Sequence, residues 1–345
     1  MKNNMDDKIY VQKNHIKSFD NVLGFMCEKI KNPLKMIPDY IKSSAIEIRL
    51  RVNQGISIIC PRATYFLKSD GQISDCLSED LLKVNKQDLS DCFNAMCDYS
   101  IYSFREQIKN GFITFKGGNR IGICGSAVLS DDNVSHIKDI TSLNIRIAKE
   151  FKGCAKDIFE NIKSDSSGVL IAGPPACGKT TILRDLARML STDMFSFKKI
   201  VIVDERFEIA AVFEGIPQLD VGLSDVLTGF SKSEGILKAV RCLSPDVIIC
   251  DEIGSEEDAS AITQSLNAGV QIIASIHAGN IDELMNKPQV KKILKSGAFE
   301  KIIFLESTFF PKNTFKIYKV SDFYDKNYRN NNFSNIRSFR RLCSI

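Results

Sequence analysis

The N-terminal part of the chain changes between helical and strand-like hydrophobic spacing. From Phe19 to Ile30, apolar residues recur every three or four positions, which predicts a short amphipathic helix. Its apolar face suits core packing, and docking on a membrane or a partner protein is the alternative. Residues 45–52 alternate apolar and polar side chains, as a half-buried strand does, and helical spacing returns over Lys86–Tyr99. Two apolar runs around Lys116–Asn119 predict a hairpin, so this part is predicted to be an α+β domain.

The C-terminal part alternates short apolar runs with amphipathic segments. Each run is continuously apolar, which is typical of strands buried on both faces of a sheet. The predicted strands are Gly168–Ala172, Lys199–Val203, Val247–Asp251, Val270–Ser275 and Lys301–Leu305. The predicted helices are Lys179–Leu190, Lys232–Leu243 and Glu256–Asn267. This alternation predicts an α/β fold with a parallel sheet covered by helices on both faces.

With 345 residues, the chain is long enough for two domains with separate cores. The patterns add a segment before the first domain and a segment after the second, so they divide the chain into four parts. We expect a helical extension in residues 1–38 and a smaller α+β domain in residues 39–145. A larger α/β domain is expected in residues 146–320, followed by a basic, polar tail in residues 321–345. Within the tail, Asn327–Arg341 is rich in Asn, Ser and Arg, which predicts mobility.

Composition narrows the function classes only slightly. Hydrophobic residues make up 44% and charged residues 26%, as in an ordinary globular protein, and the net charge of +4 gives no strong indication of a nucleic-acid partner. Eleven cysteines without a Cys-x-x-Cys pair argue against a zinc or redox motif and favour a reducing, cytosolic compartment. The polar N-terminus lacks a signal-peptide core, and no apolar run reaches the ~18 residues of a membrane span. Membrane contact is therefore expected only through a partner or a surface.

The strongest chemical signal is the stretch from Gly173 to Thr180, which reads Gly-Pro-Pro-Ala-Cys-Gly-Lys-Thr and fits G-x-x-x-x-G-K-[ST]. It lies between a predicted strand and a predicted helix, so backbone amides and the helix N-terminus are expected to surround phosphate oxygens. Lys179 is expected to neutralise the β- and γ-phosphates, and Thr180 to offer its hydroxyl to Mg²⁺. The predicted phosphate-binding residues are Gly173, Pro174, Pro175, Ala176, Cys177, Gly178, Lys179, Thr180 and Thr181.

Two pairs of acids follow predicted strands of the same sheet. Ligands bind beyond the carboxyl ends of parallel strands, so Asp251 and Glu252 are expected beside the phosphates. Asp251 suits the magnesium shell, and Glu252 suits a general base acting on the attacking water. Asp204 and Glu205 end the preceding strand and are candidates to polarise water or to order magnesium waters. Which of these last two faces the site is left open.

His277 ends another predicted strand and is a candidate to sense the γ-phosphate or to orient the water. Metal ligation by His277 is not expected, because no cysteine or second histidine lies nearby in sequence. Arg146, Arg206 and Arg241 are candidates for a charge supplied to a neighbouring subunit, with a structural ion pair as the alternative.

Stretches outside the phosphate loop carry a resemblance to one family. They are residues 47–52, 100–106, 110–114, 117–122, 144–148, 204–206, 215–222, 243–248 and 251–254. In this order and spacing they resemble the stage III sporulation protein AA family, within the RecA-like class of secretion or traffic ATPases. The resemblance covers about residues 40–320.

This resemblance implies a RecA-like P-loop ATPase domain that uses ATP and Mg²⁺, with Lys179, Asp204, Glu205, Glu252 and His277 as its catalytic residues. It implies a homo-hexameric ring that energises the channel between mother cell and forespore during endospore formation. The partners would be further copies of the chain and membrane channel proteins of the sporulation apparatus. The location would be cytoplasmic, on the mother-cell side, with peripheral association to a membrane complex.

The chain departs from the family pattern at three places. Gly222–Asp225 stands where the family usually reads Arg-Thr-Asp after Asp-Val-Gly, Phe207 replaces a serine, and Lys287 replaces an expected arginine. These changes keep an ATP-gated scaffold with little turnover as an alternative. A P-loop nucleic-acid-binding ATPase is a second alternative, supported by three arginines of the tail, Arg337, Arg340 and Arg341.

Overall fold

The computed structural model describes residues 2–130, 133–306, 314–324 and 337–339. The chain forms two compact units. The first comprises Met1–Glu150 with Ala211–Gln218, and the second comprises Phe151–Ala210 with Leu219–Ile345. The short segment 211–218 thus belongs to the first unit, where Phe213 stacks on Phe104 with ring centroids 6.0 Å apart.

In the described residues, the first unit contains a seven-stranded antiparallel sheet and five α-helices. The helices are α1 (Lys2–Leu23), α2 (Glu28–Met36), α3 (Asp39–Ser44), α4 (Lys86–Met96) and α5 (Arg105–Lys109). The strands are β1 (Glu47–Arg51), β2 (Ser57–Cys60), β3 (Ala63–Leu67), β4 (Ile73–Ser74), β5 (Phe112–Phe115), β6 (Asn119–Ser130) and β7 (Asn133–Arg146). Their order across the sheet is β4-β3-β2-β1-β7-β6-β5.

The apolar positions of the N-terminal extension lie in the core of this unit. Phe19, Val22 and Ile30 are fully buried, so the core-packing interpretation is confirmed. The helical region is longer than predicted, because α1 and α2 flank a turn over residues 24–26. Beyond the confirmed hairpin of β5 and β6, β6 continues to Ser130 and pairs with β7. Residues 124–127 are all exposed. A strand segment with no buried face does not need alternating apolar and polar residues, so the sequence contains no signal for this extension.

The second unit contains an eight-stranded sheet, in the order β10-β9-β11-β12-β8-β13-β14-β15. Its strands are β8 (Gly168–Gly173), β9 (Ile200–Asp204), β10 (Asp225–Thr228), β11 (Val247–Cys250), β12 (Gln271–His277), β13 (Phe299–Leu305), β14 (Phe315–Lys319) and β15 (Arg337–Phe339). Its helices are α6 (Lys156–Ile162), α7 (Lys179–Thr192), α8 (Lys232–Cys242), α9 (Glu256–Asn267), α10 (Ile281–Asn286) and α11 (Pro288–Lys295).

The five predicted strands and three predicted helices of this unit are all present. The first six strands in the order of the sheet, which are β10, β9, β11, β12, β8 and β13, pair in parallel, as expected. Helices α8, α9 and α11 share a core with Leu170, Val201 and Ile248, and α7 packs on β9, β11 and β12. The sheet is not parallel throughout, because β14 and β15 continue it in antiparallel pairing.

The prediction that Asn327–Arg341 is mobile is wrong for Arg337–Phe339, because these residues form β15 and pair with β14. The remaining residues of this segment, with Arg340 and Arg341, lie outside the described part of the chain. Among the described helices, none combines the length and the apolar character needed to cross a membrane.

Candidate functional site

The phosphate loop follows a fully buried strand and leads directly into a helix. Strand β8 ends at Gly173, where an added Cβ would lie 2.8 Å from Sγ of Cys177, so this position requires glycine. Ala176 and Gly178 both have left-handed backbones, with φ of 57° and 90°. Successive turns of this kind aim backbone N–H groups at one point, and the start of α7 adds the helix dipole. The loop therefore has the local geometry of an anion site.

Lys179 brings its charge into this loop from the first position of α7. Its side chain is buried, and Nζ donates to the carbonyl oxygens of Gly173 (3.1 Å) and Pro174 (2.9 Å). Burial raises the pKa of the Cys177 thiol, which lies beneath the same loop. Pro175 and Ala176 form the exposed rim, so a phosphate group has access from that side.

Thr180, Asp251 and Ser275 form one hydrogen-bonded network beside the loop. The Thr180 hydroxyl donates to Oδ2 of Asp251, and the Ser275 hydroxyl donates to Oδ1. Parallel pairing places them together, because Cys250 at the end of β11 lies opposite Ala274 of β12. Hydroxyl and carboxylate oxygens are the ligands that Mg²⁺ prefers, so the donor set fits that ion.

Glu252 is held next to this network in an uncommon backbone conformation. Its φ is 46°, which is left-handed and strained for a non-glycine residue. Its N–H donates to Asp251 Oδ1 (2.9 Å) and to the Ser275 hydroxyl (3.0 Å). The half-exposed carboxylate accepts a hydrogen bond from Arg206 Nη1 at 2.8 Å. The backbone of Glu252 is thus held by Asp251 and Ser275, while its side chain contacts Arg206.

Asp204 and Glu205 have different environments, although they are adjacent. The buried Asp204 carboxylate accepts hydrogen bonds from three backbone N–H groups, those of Glu208 (2.8 Å), Ile209 (3.2 Å) and Ala210 (2.9 Å). This carboxylate therefore fixes the segment after β9, and its catalytic role stays a prediction. The Glu205 carboxylate instead accepts a hydrogen bond from Lys232.

A small cavity brings together charged groups from the ends of β9 and β11 and from the start of α8. Its charged lining residues are Asp204, Glu205, Arg206, Glu208, Lys232, Asp251 and Glu252. Two cations and five carboxylates thus line one cavity at the carboxyl edge of the sheet. The sequence analysis missed Lys232, whose side chain is only 11% exposed. The available signal was Ser231, which caps α8 through the Glu234 N–H and places Lys232 at the first helical position.

His277 ends β12 opposite Gly173 in the register of the sheet, and its side chain is exposed. Its backbone carbonyl accepts a hydrogen bond from Lys287, which also pairs with Glu283 at 3.4 Å. The structure thus places His277 at the same sheet edge as the phosphate loop, and its role as a sensor stays a prediction.

The three arginines proposed to act on a neighbouring subunit lie in different places. Arg146 ends β7 in the first unit, with Nε 3.7 Å from a carboxylate oxygen of Glu47, and this contact favours the ion-pair interpretation. Arg241 lies exposed in the last turn of α8. Of the three, Arg206 is the one that lines the charged cavity.

The sequence matches the family described as "Sporulation stage III, protein AA" over residues 16–323. The chain belongs to this family. A curated relative, "Stage III sporulation protein AA" of Bacillus subtilis, is 36% identical over 295 residues, which is 84% of this chain and 92% of the relative.

Two solved structures share the fold of this sporulation-family chain. The ATPase DotB of Legionella pneumophila has a TM-score of 0.52 at 14% identity, covering 87% of this chain and 81% of its own. The pilus retraction motor PilT with bound ADP has a TM-score of 0.51 at 16% identity, covering 80% of this chain and 76% of its own. At these identities the likeness establishes the fold and nothing about activity.

The departure at Gly222–Asp225 forms a tight turn in this family member. An added Cβ at Gly222 would lie 2.4 Å from the Ser191 hydroxyl, and φ is 65° there. Ser224 closes the turn by donating to the carbonyl oxygen of Val221 at 2.7 Å. The segment leads into β10, the edge strand beside β9, and so lies outside the Thr180–Asp251–Ser275 network.

Proposed function

We propose that this chain is a Mg²⁺-dependent ATP hydrolase with a RecA-like P-loop domain. The observation that carries the proposal is the Thr180–Asp251–Ser275 network, which joins the phosphate loop to the acidic end of β11. Family membership and the fold shared with DotB and PilT support ATP as the nucleotide. The site residues predicted from sequence are proposed here with the same roles.

In this proposal the loop from Gly173 to Thr181 binds the phosphates through its amides, while Lys179 neutralises their charge. Thr180 and Asp251 would hold Mg²⁺, which would neutralise charge at the β- and γ-phosphates. Glu252 accepts a proton from the water that attacks the γ-phosphate. Asp204 and Glu205 are proposed to polarise water or to order magnesium waters, and His277 to sense the γ-phosphate or to orient the attacking water.

The cellular role follows from the family and remains a proposal. The ATPase would form a homo-hexameric ring and energise the channel between mother cell and forespore. It would lie in the cytoplasm on the mother-cell side, bound peripherally to membrane channel proteins of the sporulation apparatus. The family description and the fold of a pilus retraction motor support this interpretation.

The division of the chain is also proposed as predicted from the sequence. Residues 1–38 would be a helical extension, residues 39–145 an α+β domain, residues 146–320 the ATPase domain, and residues 321–345 a tail.

The deciding experiment compares phosphate release from Mg·ATP by the wild-type protein, Glu252→Gln and Lys179→Ala. We expect Glu252→Gln to bind ATP and lose turnover by a factor of about 10² or more, since general-base catalysis is worth about 10²–10⁴. Lys179→Ala should lose binding and turnover together. Light scattering on the same samples reports whether nucleotide promotes oligomers. ATP binding with equally slow turnover in wild type and Glu252→Gln would instead favour the nucleotide-gated scaffold.

A further inference from the structure

Arg206 extends from a backbone that is fixed by several hydrogen bonds. It lies in a turn in which the Phe207 N–H donates to the Asp204 carbonyl at 3.4 Å. The Asp204 carboxylate holds the following segment through the N–H groups of residues 208–210. The Arg206 side chain is 57% exposed, so the position of its guanidinium is set by rotatable side-chain bonds above this fixed turn.

Its partner Glu252 has the same combination of fixed backbone and free side chain. The Glu252 N–H donates hydrogen bonds to Asp251 and Ser275, while the Glu252 side chain is 44% exposed. An ion pair between two such exposed groups contributes little stability, because water screens the charges and both side chains lose freedom. Arg206 can therefore readily exchange its contact with Glu252 for a contact with an anion that carries more negative charge.

In the proposed activity, the anion that Arg206 can reach is the terminal phosphate of the bound nucleotide. Arg206 and Asp251 line one cavity, and Asp251 is hydrogen-bonded to Thr180 of the phosphate loop. The terminal phosphate of a bound nucleoside triphosphate would extend from the loop towards this cavity. A phosphate presents more negative charge than a single carboxylate and accepts bidentate hydrogen bonds from a guanidinium.

We propose that Arg206 exchanges its partner Glu252 for the γ-phosphate of the nucleotide bound to its own subunit. This inference rests on the proposed ATPase function and names how the site distinguishes triphosphate from diphosphate. When the γ-phosphate takes Arg206, the Glu252 carboxylate loses its cation and is free to accept a proton from water. With a diphosphate, Arg206 keeps its contact with Glu252. Arg206 thus acts within its own subunit, and not as a charge supplied to a neighbour.

The test is calorimetric titration of the full chain with two probes, Mg·AMP-PNP and Mg·ADP. We expect Arg206→Gln to raise the Kd for Mg·AMP-PNP about tenfold, the effect of losing one charge-assisted hydrogen bond. The Kd for Mg·ADP should stay within about twofold, since no γ-phosphate contact is lost. Arg206→Lys keeps the charge and should recover part of the triphosphate affinity. Arg62→Gln, at an exposed arginine of the first unit that does not line the cavity, is the matched control and should change neither constant.

Equal effects of Arg206→Gln on both probes, or none on either, would overturn the inference if the wild type binds both and Lys179→Ala does not. That result would leave the proposed function standing. If the wild type fails to bind Mg·AMP-PNP, or Lys179→Ala binds it equally well, the proposed nucleotide site itself is wrong. Thermal unfolding of each variant checks that it folds, and Arg206→Lys serves as the probe if Arg206→Gln does not.

Discussion

The hydroxyl of Thr180 donates a hydrogen bond to the carboxylate of Asp251, although 71 positions separate the two residues. The contact joins the first turn of α7 to the end of β11. It depends on β12, which lies between β8 and β11 and contributes Ser275 to the other carboxylate oxygen. Because the two hydroxyls hold both oxygens of Asp251, its carboxylate is oriented before any cation arrives. Such preorganisation lowers the cost of binding a metal.

Asp251→Asn should therefore remove the magnesium-dependent part of nucleotide affinity. The amide keeps the shape of the side chain but has no negative charge for the cation. We expect the gain in ADP affinity on adding Mg²⁺ to fall about tenfold or more. Losses of this size are usual when a metal ligand, or a residue that orients a ligand, is replaced. The measurement is the Kd for ADP with Mg²⁺ and with EDTA.

Ser275→Ala is the matched control, because it removes the hydroxyl that orients Asp251 but leaves the carboxylate. It should reduce the magnesium effect by less than Asp251→Asn. A magnesium effect of wild-type size in Asp251→Asn would contradict this metal assignment.

The Asp204 carboxylate should contribute to stability more than a typical surface aspartate. Asp204→Ala leaves the N–H groups of residues 208–210 without their acceptor, and an unsatisfied buried group costs about 1–3 kcal/mol. We expect a loss of about 3 kcal/mol and a fall in Tm of roughly 6–12 °C. Differential scanning calorimetry measures both. Asp225→Ala, at an exposed aspartate in β10, is the control and should shift Tm by at most about 2 °C.

Arg184 and Asp204 should show coupled effects on stability. Arg184 donates to the carbonyl oxygens of Ile209 (2.5 Å) and Glu208 (2.7 Å), while Asp204 accepts from the N–H groups of the same segment. Once one residue is removed the segment can relax, so the second loss costs less. We expect Arg184→Met with Asp204→Ala to be less destabilising than the sum of the single changes by about 1 kcal/mol. Strict additivity in urea unfolding would show that the two residues act independently.

The phosphate loop, Asp251 and Glu252 were predictable from sequence because each follows a strand whose apolar run is continuous. Parallel pairing then brings strand ends to one sheet edge without any knowledge of side-chain contacts. The same argument placed Asp204 and Glu205 at that edge but left open which one faces the site. The choice depends on the three N–H groups after β9, and their positions follow from a turn that has no sequence period.

Lys232 and the Arg206–Glu252 pair illustrate what spacing does not contain. Lys232 is one of many lysines, and only the packing of α8 beside β9 brings it to Glu205. Likewise, β14 and β15 extend the sheet in antiparallel pairing, and neither strand is a continuous apolar run like those of the parallel strands. Tertiary contacts decide such cases because local propensity is weak there.

His15 should make the first unit lose stability as the pH falls below neutrality. Its side chain is buried, and Nε2 lies 3.3 Å from the carbonyl oxygen of Glu150. Burial, together with the positive charge of Lys149, lowers the pKa of His15 from 6.5 to about 4. Between these values the unfolded chain binds a proton that the folded chain does not, so acid favours unfolding. The loss should be about 2 kcal/mol between pH 7 and pH 5.

His15→Gln removes this titration. Between pH 7 and pH 5 the wild type should therefore lose about 2 kcal/mol of stability relative to the variant. Urea unfolding followed by circular dichroism at several pH values gives the two curves. His136→Gln, at an exposed histidine of β7, is the control and should follow the wild-type curve at every pH. If the His15→Gln curve also runs parallel to the wild type, His15 is protonated as easily in the folded chain as in the unfolded one. The buried contact between α1 and Glu150 would then have no role in the acid sensitivity of the protein.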